Sequence, residues 1–245
     1  SERFFTVSKW VGLLRFHHVT KLALLPIAQY LRNIGNKNYV SSSKVDDVKD
    51  QNNIQKWLIF IILKNGLGGS SDTKLTQMRR IVDMKYDKFP FAGINREMLI
   101  ESSFNDMELD SFLQTNYGTR YSYLILSLLY PGRDWKDKVF HEDHIFPQTE
   151  FQRKKLKVRG YDDEKIEKYL ACYNSIANLE LLDESENKIK NAKPFEEWLS
   201  DRDDNFRTRH NIPLMENYDF DHFLDFIDKR KILLLNCLKQ IAFDE

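Results

Sequence analysis

Apolar residues recur at helical spacing through most of residues 7–129. In segments 7–14 and 19–31 they fall three and four positions apart, which places them on one face of a helix. Pro26 lies inside the second segment, where we expect it to kink the helix because it removes a backbone donor. The apolar run 54–63 predicts a buried helix that ends at Asn65-Gly66. Four further helices are predicted at segments 71–84, 96–99, 107–114 and 121–129.

Polar segments interrupt this helical pattern. Residues 35–53 are rich in Asn, Ser, Lys and Asp, which predicts a loop. Pro131-Gly132 ends the helical region, since both residues favour turns over helices. We therefore predict a helical domain over residues 1–132, which connects or binds a substrate or partner, and a second domain over residues 133–245.

The second domain combines short strands with helices. Segments 138–142 and 177–182 predict two strands on either side of a charged helix at 162–173. Further helices are predicted from Ser185, over 194–199, and over 219–242 as a long last element. The predicted fold class is mainly α with a small α+β element.

The composition excludes several classes of protein. Of the 245 residues, 42% are apolar and 30% are charged. This share of apolar residues does not predict a disordered protein. No apolar run approaches the roughly 20 residues that cross a bilayer, so a membrane protein is not predicted either. Cys172 and Cys237 form no Cys-x-x-Cys motif, which favours reduced thiols and a cytoplasmic protein. The chain begins without Met or a signal peptide, and we expect it to be a fragment of a longer polypeptide.

One segment carries most of the chemical information. Residues 140–151 read Phe-His-Glu-Asp-His-Ile-Phe-Pro-Gln-Thr-Glu-Phe, and Asn178 and Asn187 follow. Hydrolysis of a phosphodiester needs an activated water and neutralisation of charge on the phosphoryl oxygens, which one divalent cation and one histidine can supply. Oxygens of Asp143 and Asn187 favour Mg²⁺ or Mn²⁺. His144, with an ordinary pKa of about 6.5, can accept a proton from water.

The order of these residues predicts a strand–strand–helix arrangement. Adjacent residues of a strand point to opposite faces, so we expect Asp143 and His144 where the first strand ends. The second strand is expected to pair with the first, which brings Asn187, near the start of the next helix, to the same cation as Asp143. Asn178 lies too far upstream to share the cation easily, and we expect its hydrogen bonds to fix the loop that carries His144.

Three stretches together resemble a known nuclease motif: Asp143-His-Ile-Phe-Pro-Gln, Asn178-Leu-Glu-Leu-Leu and Asn187-Lys-Ile-Lys190. They are similar to the HNH (ββα-metal, His-Me finger) motif, and more closely to the C-terminal nuclease half of GmrSD-type modification-dependent restriction endonucleases. The likeness is strong over residues 137–200 and looser in the helical front and the tail. The last position of the motif is Asn rather than His, and Asn ligates through oxygen.

The resemblance implies a role for each of these residues. Asp143 and Asn187 would bind the metal, and His144 would be the general base. Asn178 would position the histidine, and Lys190 would contact the scissile phosphate. The implied activity is that of a metal-dependent DNA endonuclease in restriction or antiviral defence, acting on foreign or modified DNA. The nucleotide-hydrolysing domain of that family is not in this sequence, so we expect it on a partner or elsewhere in a longer chain.

Several interpretations stay open at this point. His141 either approaches the metal or packs at the strand. RNA is an alternative substrate, and a non-catalytic DNA- or partner-binding scaffold is the alternative to an enzyme. The net charge is zero, but a neutral chain can still present a local positive surface. Five basic residues after the motif either contact phosphates in this way or form a solvated face: Arg153, Lys154, Lys155, Lys157 and Arg159.

Overall fold

The computed structural model describes residues 19–68, 71–84, 87–119, 121–130 and 138–241. Over these residues the chain is mainly helical, with one two-stranded antiparallel sheet, which confirms the predicted class of a mainly α protein with a small β element. None of the helices in these ranges combines the length and apolar character needed to span a bilayer. The helix predicted at 7–14 and the boundary predicted at Pro131-Gly132 lie outside the described residues.

The chain forms two compact units, and the first extends through Phe104. Its helices overlap the predicted ones, but the second and the fourth begin well before their predicted starts, at Val45 and Phe91. The second of them continues to Leu63, and Asn65 follows with a positive φ of 49°, so the predicted stop at Asn65-Gly66 is confirmed. The helices of this unit are α1 (Val19–Ile34, with Pro26 inside it), α2 (Val45–Leu63), α3 (Ser71–Val82) and α4 (Phe91–Glu97).

The loop predicted over residues 35–53 is wrong in its second half, because α2 already begins at Val45. The polar residue Asp50 lies in this part of the helix and is buried. Its carboxylate accepts hydrogen bonds from the Tyr30 hydroxyl at 2.7 Å, from the Phe89 backbone N–H at 2.7 Å and from the Tyr39 hydroxyl. Three donors compensate for the loss of water around a buried carboxylate. The polar residues from position 45 to 53 therefore belong to a helix and not to a loop.

The second unit covers Asn105–Gln240. The two units divide between Phe104 and Asn105, and the domain boundary predicted at residue 132 lies outside the described residues. Two helices of the second unit, Arg153–Val158 and Asp204–Arg209, were not predicted. The strands are β1 (Phe140–His144) and β2 (Leu179–Asp183). The helices are α5 (Asp106–Gln114), α6 (Ser122–Leu128), α7 (Arg153–Val158), α8 (Asp163–Cys172), α9 (Glu184–Lys190), α10 (Phe195–Ser200), α11 (Asp204–Arg209) and α12 (Phe223–Lys239).

β1 and β2 pair directly, and α9 follows without a loop. The register sets Asp143 opposite Glu180 and His144 opposite Leu179, so β1 extends two residues beyond its predicted end. Directly opposed residues share a face of an antiparallel pair. Asp143 and Glu180 therefore lie on one face of the sheet, and His144 lies on the other face. Asp183 caps α9 by accepting from the Glu186 backbone N–H at 2.9 Å, and Glu186 completes a capping box. The predicted strand–strand–helix order is therefore present, with the helix packed on both strands.

Arg230 links the long helix α12 to the start of β2. Its guanidinium is fully buried and donates to the backbone carbonyls of Ala177 at 2.8 Å, Leu179 at 2.9 Å and His210 at 3.0 Å. Longer bonds reach the carbonyls of Ile176 and Asn211. Burial lowers the pKa of Arg230. A planar group with five donors can satisfy carbonyls that the turn before β2 leaves without helical or sheet partners.

We expect Arg230→Met to lower the free energy of unfolding by about 3 kcal/mol or more, because several buried carbonyls lose their donors at once. Urea denaturation followed by circular dichroism measures the change. Lys229→Met is the matched control, since Lys229 is the exposed neighbour on the same helix and should leave stability nearly unchanged. Equal stabilities of the two variants would contradict this role of Arg230.

Candidate active site

Asp143 lies at the end of β1 with its carboxylate partly exposed. Its side chain retains 20% of its accessible surface, and its Oδ2 atom accepts a hydrogen bond from the Lys190 ammonium. Burial raises the pKa of Asp143 above its ordinary value, although the charge of Lys190 opposes the shift. The Oδ1 atom is not used in that ion pair and has the hard character that Mg²⁺ prefers.

Lys190 is fully buried, and its ammonium meets three acceptors. They are Oδ2 of Asp143, Oε1 of Glu180 at 3.0 Å and the backbone carbonyl of His144. The contacts with Asp143 and with the His144 carbonyl are hydrogen bonds, and the contact with Glu180 is an ion pair. The predicted contact between Lys190 and a phosphate is disfavoured by this arrangement, because the side chain would have to leave Glu180 to reach solvent.

Glu180 is a fully buried carboxylate in the middle of the site. It lies between Lys190 and His210, whose Nδ1 atom is 2.8 Å from Oε2. Arg209 donates from Nε to Nε2 of His210 at 3.2 Å, so the ring keeps a lone pair there and its proton on Nδ1, which forms a close polar contact with Glu180 and a hydrogen bond with the Tyr130 hydroxyl at 3.1 Å. Burial by itself raises the pKa of Glu180, but Lys190 and His210 outweigh burial and hold the pKa well below its ordinary range. Glu180 is therefore charged at neutral pH.

His144 is 7% exposed and is held through its Nε2 atom, which lies 2.8 Å from Oδ1 of Asn174. The Tyr117 ring packs against the imidazole with centroids 4.7 Å apart. Burial lowers the pKa of His144, and the Asn174 hydrogen bond only partly offsets this. The imidazole is thus neutral at pH 7. Its Nδ1 atom has no hydrogen-bond partner among the described residues, which leaves it able to accept a proton.

Asn178 fixes the chain just after His144. Its amide is fully buried and accepts from the Phe146 backbone N–H at 3.0 Å while it donates to the carbonyls of Phe146 at 3.2 Å and Tyr173 at 2.7 Å. Its own carbonyl accepts from the Ile145 backbone N–H at 2.8 Å. These bonds have the geometry expected of a residue that holds the loop following His144.

Asn187 and His141 are the remaining predicted metal ligands. Asn187 lies on α9 three residues before Lys190, and this spacing puts both on one side of the helix. Its side chain is partly exposed and makes no hydrogen bond to any described residue. His141 alternates with Asp143 along β1, so the two project from the same face of the sheet, and His141 is also partly exposed.

The donor set decides which metal these residues fit. The described residues contain no group of three or more His, Cys, Asp or Glu side chains placed to hold a metal ion. Amide oxygens such as that of Asn187 are also ligands for hard cations. The residues that fit are the partly exposed Asp143 and the Asn187 amide, which lacks a partner. Two hard oxygen ligands with open positions for water and phosphate are typical of Mg²⁺.

The predicted phosphate-binding cluster lies on and just after α7, and most of its charge is paired. Lys155 and Arg159 contact Glu150 at 2.9 and 2.7 Å. Lys157 lies 3.6 Å from Asp163, and Arg153 pairs with Glu167. Lys154 is the one member without a carboxylate within 4.0 Å in the described part of the chain. Exposed pairs of this kind are weak, so a phosphate can displace them, but the cluster is not a strongly positive surface.

Four residues around the site were missed from the sequence. Asn174 and Tyr117 contact the His144 ring, Glu180 pairs with Lys190, and His210 pairs with Glu180. Glu180 carries a usable signal, because a single carboxylate inside the apolar strand Leu-Glu-Leu-Leu must be buried and therefore paired. The other three give no such signal, since each reaches the site from a distant part of the chain.

Comparison with known proteins assigns no family to this chain. No family model matches the sequence, and no curated protein matches it either.

We expect Lys190→Met to destabilise the fold by about 3–5 kcal/mol, because it leaves the charges of Asp143 and Glu180 unpaired. Chemical denaturation at pH 7 measures the loss. The control is Lys188→Met, since Lys188 lies on the same helix in an exposed pair with Glu184. Adding Glu180→Gln to Lys190→Met should recover part of the stability, and an additive further loss would show that the two residues do not act as a buried pair.

Proposed function

We propose that this chain is a metal-dependent nuclease of the HNH type that hydrolyses phosphodiester bonds. The observation that carries the proposal is the pairing of β1 and β2 with α9 packed on them, which sets Asp143 and His144 at the end of one strand and Asn187 on the helix beside it. The neutral His144 with an unpartnered Nδ1 atom supports the same function.

Each residue has a distinct part in the proposed reaction. Asp143 and Asn187 would hold Mg²⁺ or Mn²⁺, with His141 as a further ligand. The bound ion would neutralise charge on the phosphate and stabilise the leaving oxygen. His144 accepts a proton from the attacking water at Nδ1, so the products are expected to carry 5′-phosphate and 3′-hydroxyl ends. Asn178 holds the loop next to the histidine.

The substrate and biological role follow from the motif resemblance. DNA is the proposed substrate, in a restriction or antiviral defence system that acts on foreign or modified DNA. A nucleotide-hydrolysing domain or subunit is the proposed partner, because the similar endonucleases carry one. RNA is the alternative substrate, since the chemistry addresses a phosphodiester and leaves the sugar undefined. Supercoiled plasmid and labelled RNA, each with Mg²⁺ or EDTA, separate these two substrates.

We expect His144→Ala to abolish plasmid nicking in Mg²⁺, because the variant lacks the positioned imidazole nitrogen that is proposed to accept the proton of the attacking water. Circular dichroism should show an unchanged fold. His222→Ala is the matched control, since His222 bonds only to Asp219 at its own turn, and this variant should cleave like the parent. Full activity of His144→Ala would exclude His144 as the base.

We expect Asn187→Ala to raise the Mg²⁺ concentration needed for half-maximal nicking by about tenfold or more, because the site loses one of two protein oxygens. A titration of Mg²⁺ at fixed plasmid concentration measures this. Asn205→Ala, which removes an exposed amide on α11, should leave the titration unchanged. An identical Mg²⁺ requirement in the Asn187 variant would remove this residue from the metal site.

The second candidate is a non-catalytic module that binds DNA or a partner. The ion pair between Lys190 and Asp143 favours it, because an ammonium already neutralises the carboxylate that would bind the metal. Isothermal titration with Mn²⁺ distinguishes the two functions. Heat of binding that Asp143→Asn abolishes supports the nuclease, whereas no binding and no nicking supports the module.

A further inference from the structure

We infer that Asn174 is the positioning residue that fixes the tautomer of His144, so that the ring carries its proton on Nε2 and its lone pair on Nδ1. This inference rests on the proposed function and deepens it. None of the motif positions includes Asn174, which lies four residues before Asn178. Its amide oxygen is 2.8 Å from Nε2 of His144.

A neutral imidazole has one N–H and one lone pair, and the partner of one nitrogen decides the state of the other. An amide oxygen can only accept a hydrogen bond, so its position against Nε2 requires the proton there. The lone pair then lies on Nδ1, the nitrogen without a partner among the described residues. The carbonyl of His144 is also fixed, because it accepts from Lys190.

Asn174 is itself held by the segment that precedes α6. Its carbonyl accepts from the Tyr117 backbone N–H at 2.7 Å, and the Ile176 N–H donates to the Thr115 carbonyl at 3.0 Å. Gly118 turns the chain directly after Tyr117 with a φ of +69°, a conformation that glycine adopts without strain. These backbone hydrogen bonds between residues 115–117 and 174–176 hold Asn174 so that its amide lies at the Nε2 edge of the His144 ring.

Aromatic rings restrict the remaining motion of His144. Tyr117 packs on the imidazole at 4.7 Å between centroids, and the Tyr173 ring is nearly parallel to it at 6.5 Å. Tyr117 also remains 42% exposed. The ring of His144 is thus confined on its faces by tyrosines and on its Nε2 edge by Asn174, which leaves the Nδ1 edge for a reacting group.

Removing Asn174 should let the two tautomers interconvert and the ring rotate, while the metal ligands are unaffected. We expect Asn174→Ala to lower kcat by about 10–100-fold, the range typical of groups that orient a functional histidine, with little change in KM or in the Mg²⁺ requirement. Asn174→Asp keeps an acceptor oxygen at the same place and should retain the single tautomer.

The test measures the ring nitrogens of His144 directly by ¹⁵N NMR at a fixed pH of about 8, with His144→Gln to assign the signals. The parent and Asn174→Asp should show a protonated Nε2 and a bare Nδ1, and Asn174→Ala should show averaged shifts. Asn205→Ala is the control for kinetics and NMR. Thermal denaturation verifies that each variant is folded.

Two results would overturn the inference. One is a proton on Nδ1 of His144 in the parent protein, and the other is an Asn174→Ala variant with unchanged shifts and unchanged kcat. Failure of the proposed function appears differently, as a parent protein that does not nick plasmid in Mg²⁺ or Mn²⁺. The NMR result decides the tautomer in that case as well, because it does not depend on cleavage.

Discussion

The buried carboxylate of Glu180 is the constraint on which the site depends. An unpaired charge in a protein interior costs several kcal/mol, so Glu180 has to be compensated within the fold. Lys190 and His210, which both follow β2 in the chain, compensate the charge of Glu180. Because Lys190 is buried against Glu180, helix α9 packs on β1. Asn187, one turn before Lys190 on α9, therefore lies on the side of the sheet that carries Asp143.

The end of β1 is consequently fixed on both faces. On one face Lys190 holds the carboxylate of Asp143 and the carbonyl of His144. On the other, Asn174 holds the imidazole, and Asn178 holds the backbone of the next two residues. Side chains that are supported in this way keep their geometry without a ligand, which is the condition that the proposed general-base chemistry requires. The supports come from residues 174–178 and from Lys190, which are distant from Asp143 in sequence, so no short peptide around Asp143 would reproduce the site.

The order strand–strand–helix could be predicted because its signals are local. Asp143-His144 before Ile-x-Pro marks a strand end, and Asp183 three residues before Glu186 marks a helix start. The support for His144 could not be predicted, because Asn174 reaches it only after residues 115–117 pair with 174–176. The loop predicted through residue 53 failed for a related reason, since the partners that bury Asp50 are distant in sequence. The linear sequence also gave no sign of the carboxylates that pair with the basic residues on α7, whose charges therefore seemed available for phosphates.

Lys190 and a metal ion need not exclude each other at Asp143. A carboxylate has two oxygens, and the ammonium uses Oδ2, so Oδ1 is available on a side chain that is still partly exposed. Glu180 differs in being almost completely buried, and Lys190 cannot leave it without exposing an uncompensated charge to the interior. Lys190 is therefore fixed, and its bond to Asp143 restricts the rotation of that carboxylate. At the proposed metal site, a cation would meet an oxygen whose orientation Lys190 already restricts, and the Asn187 side chain makes no hydrogen bond to a described residue that would compete with the cation.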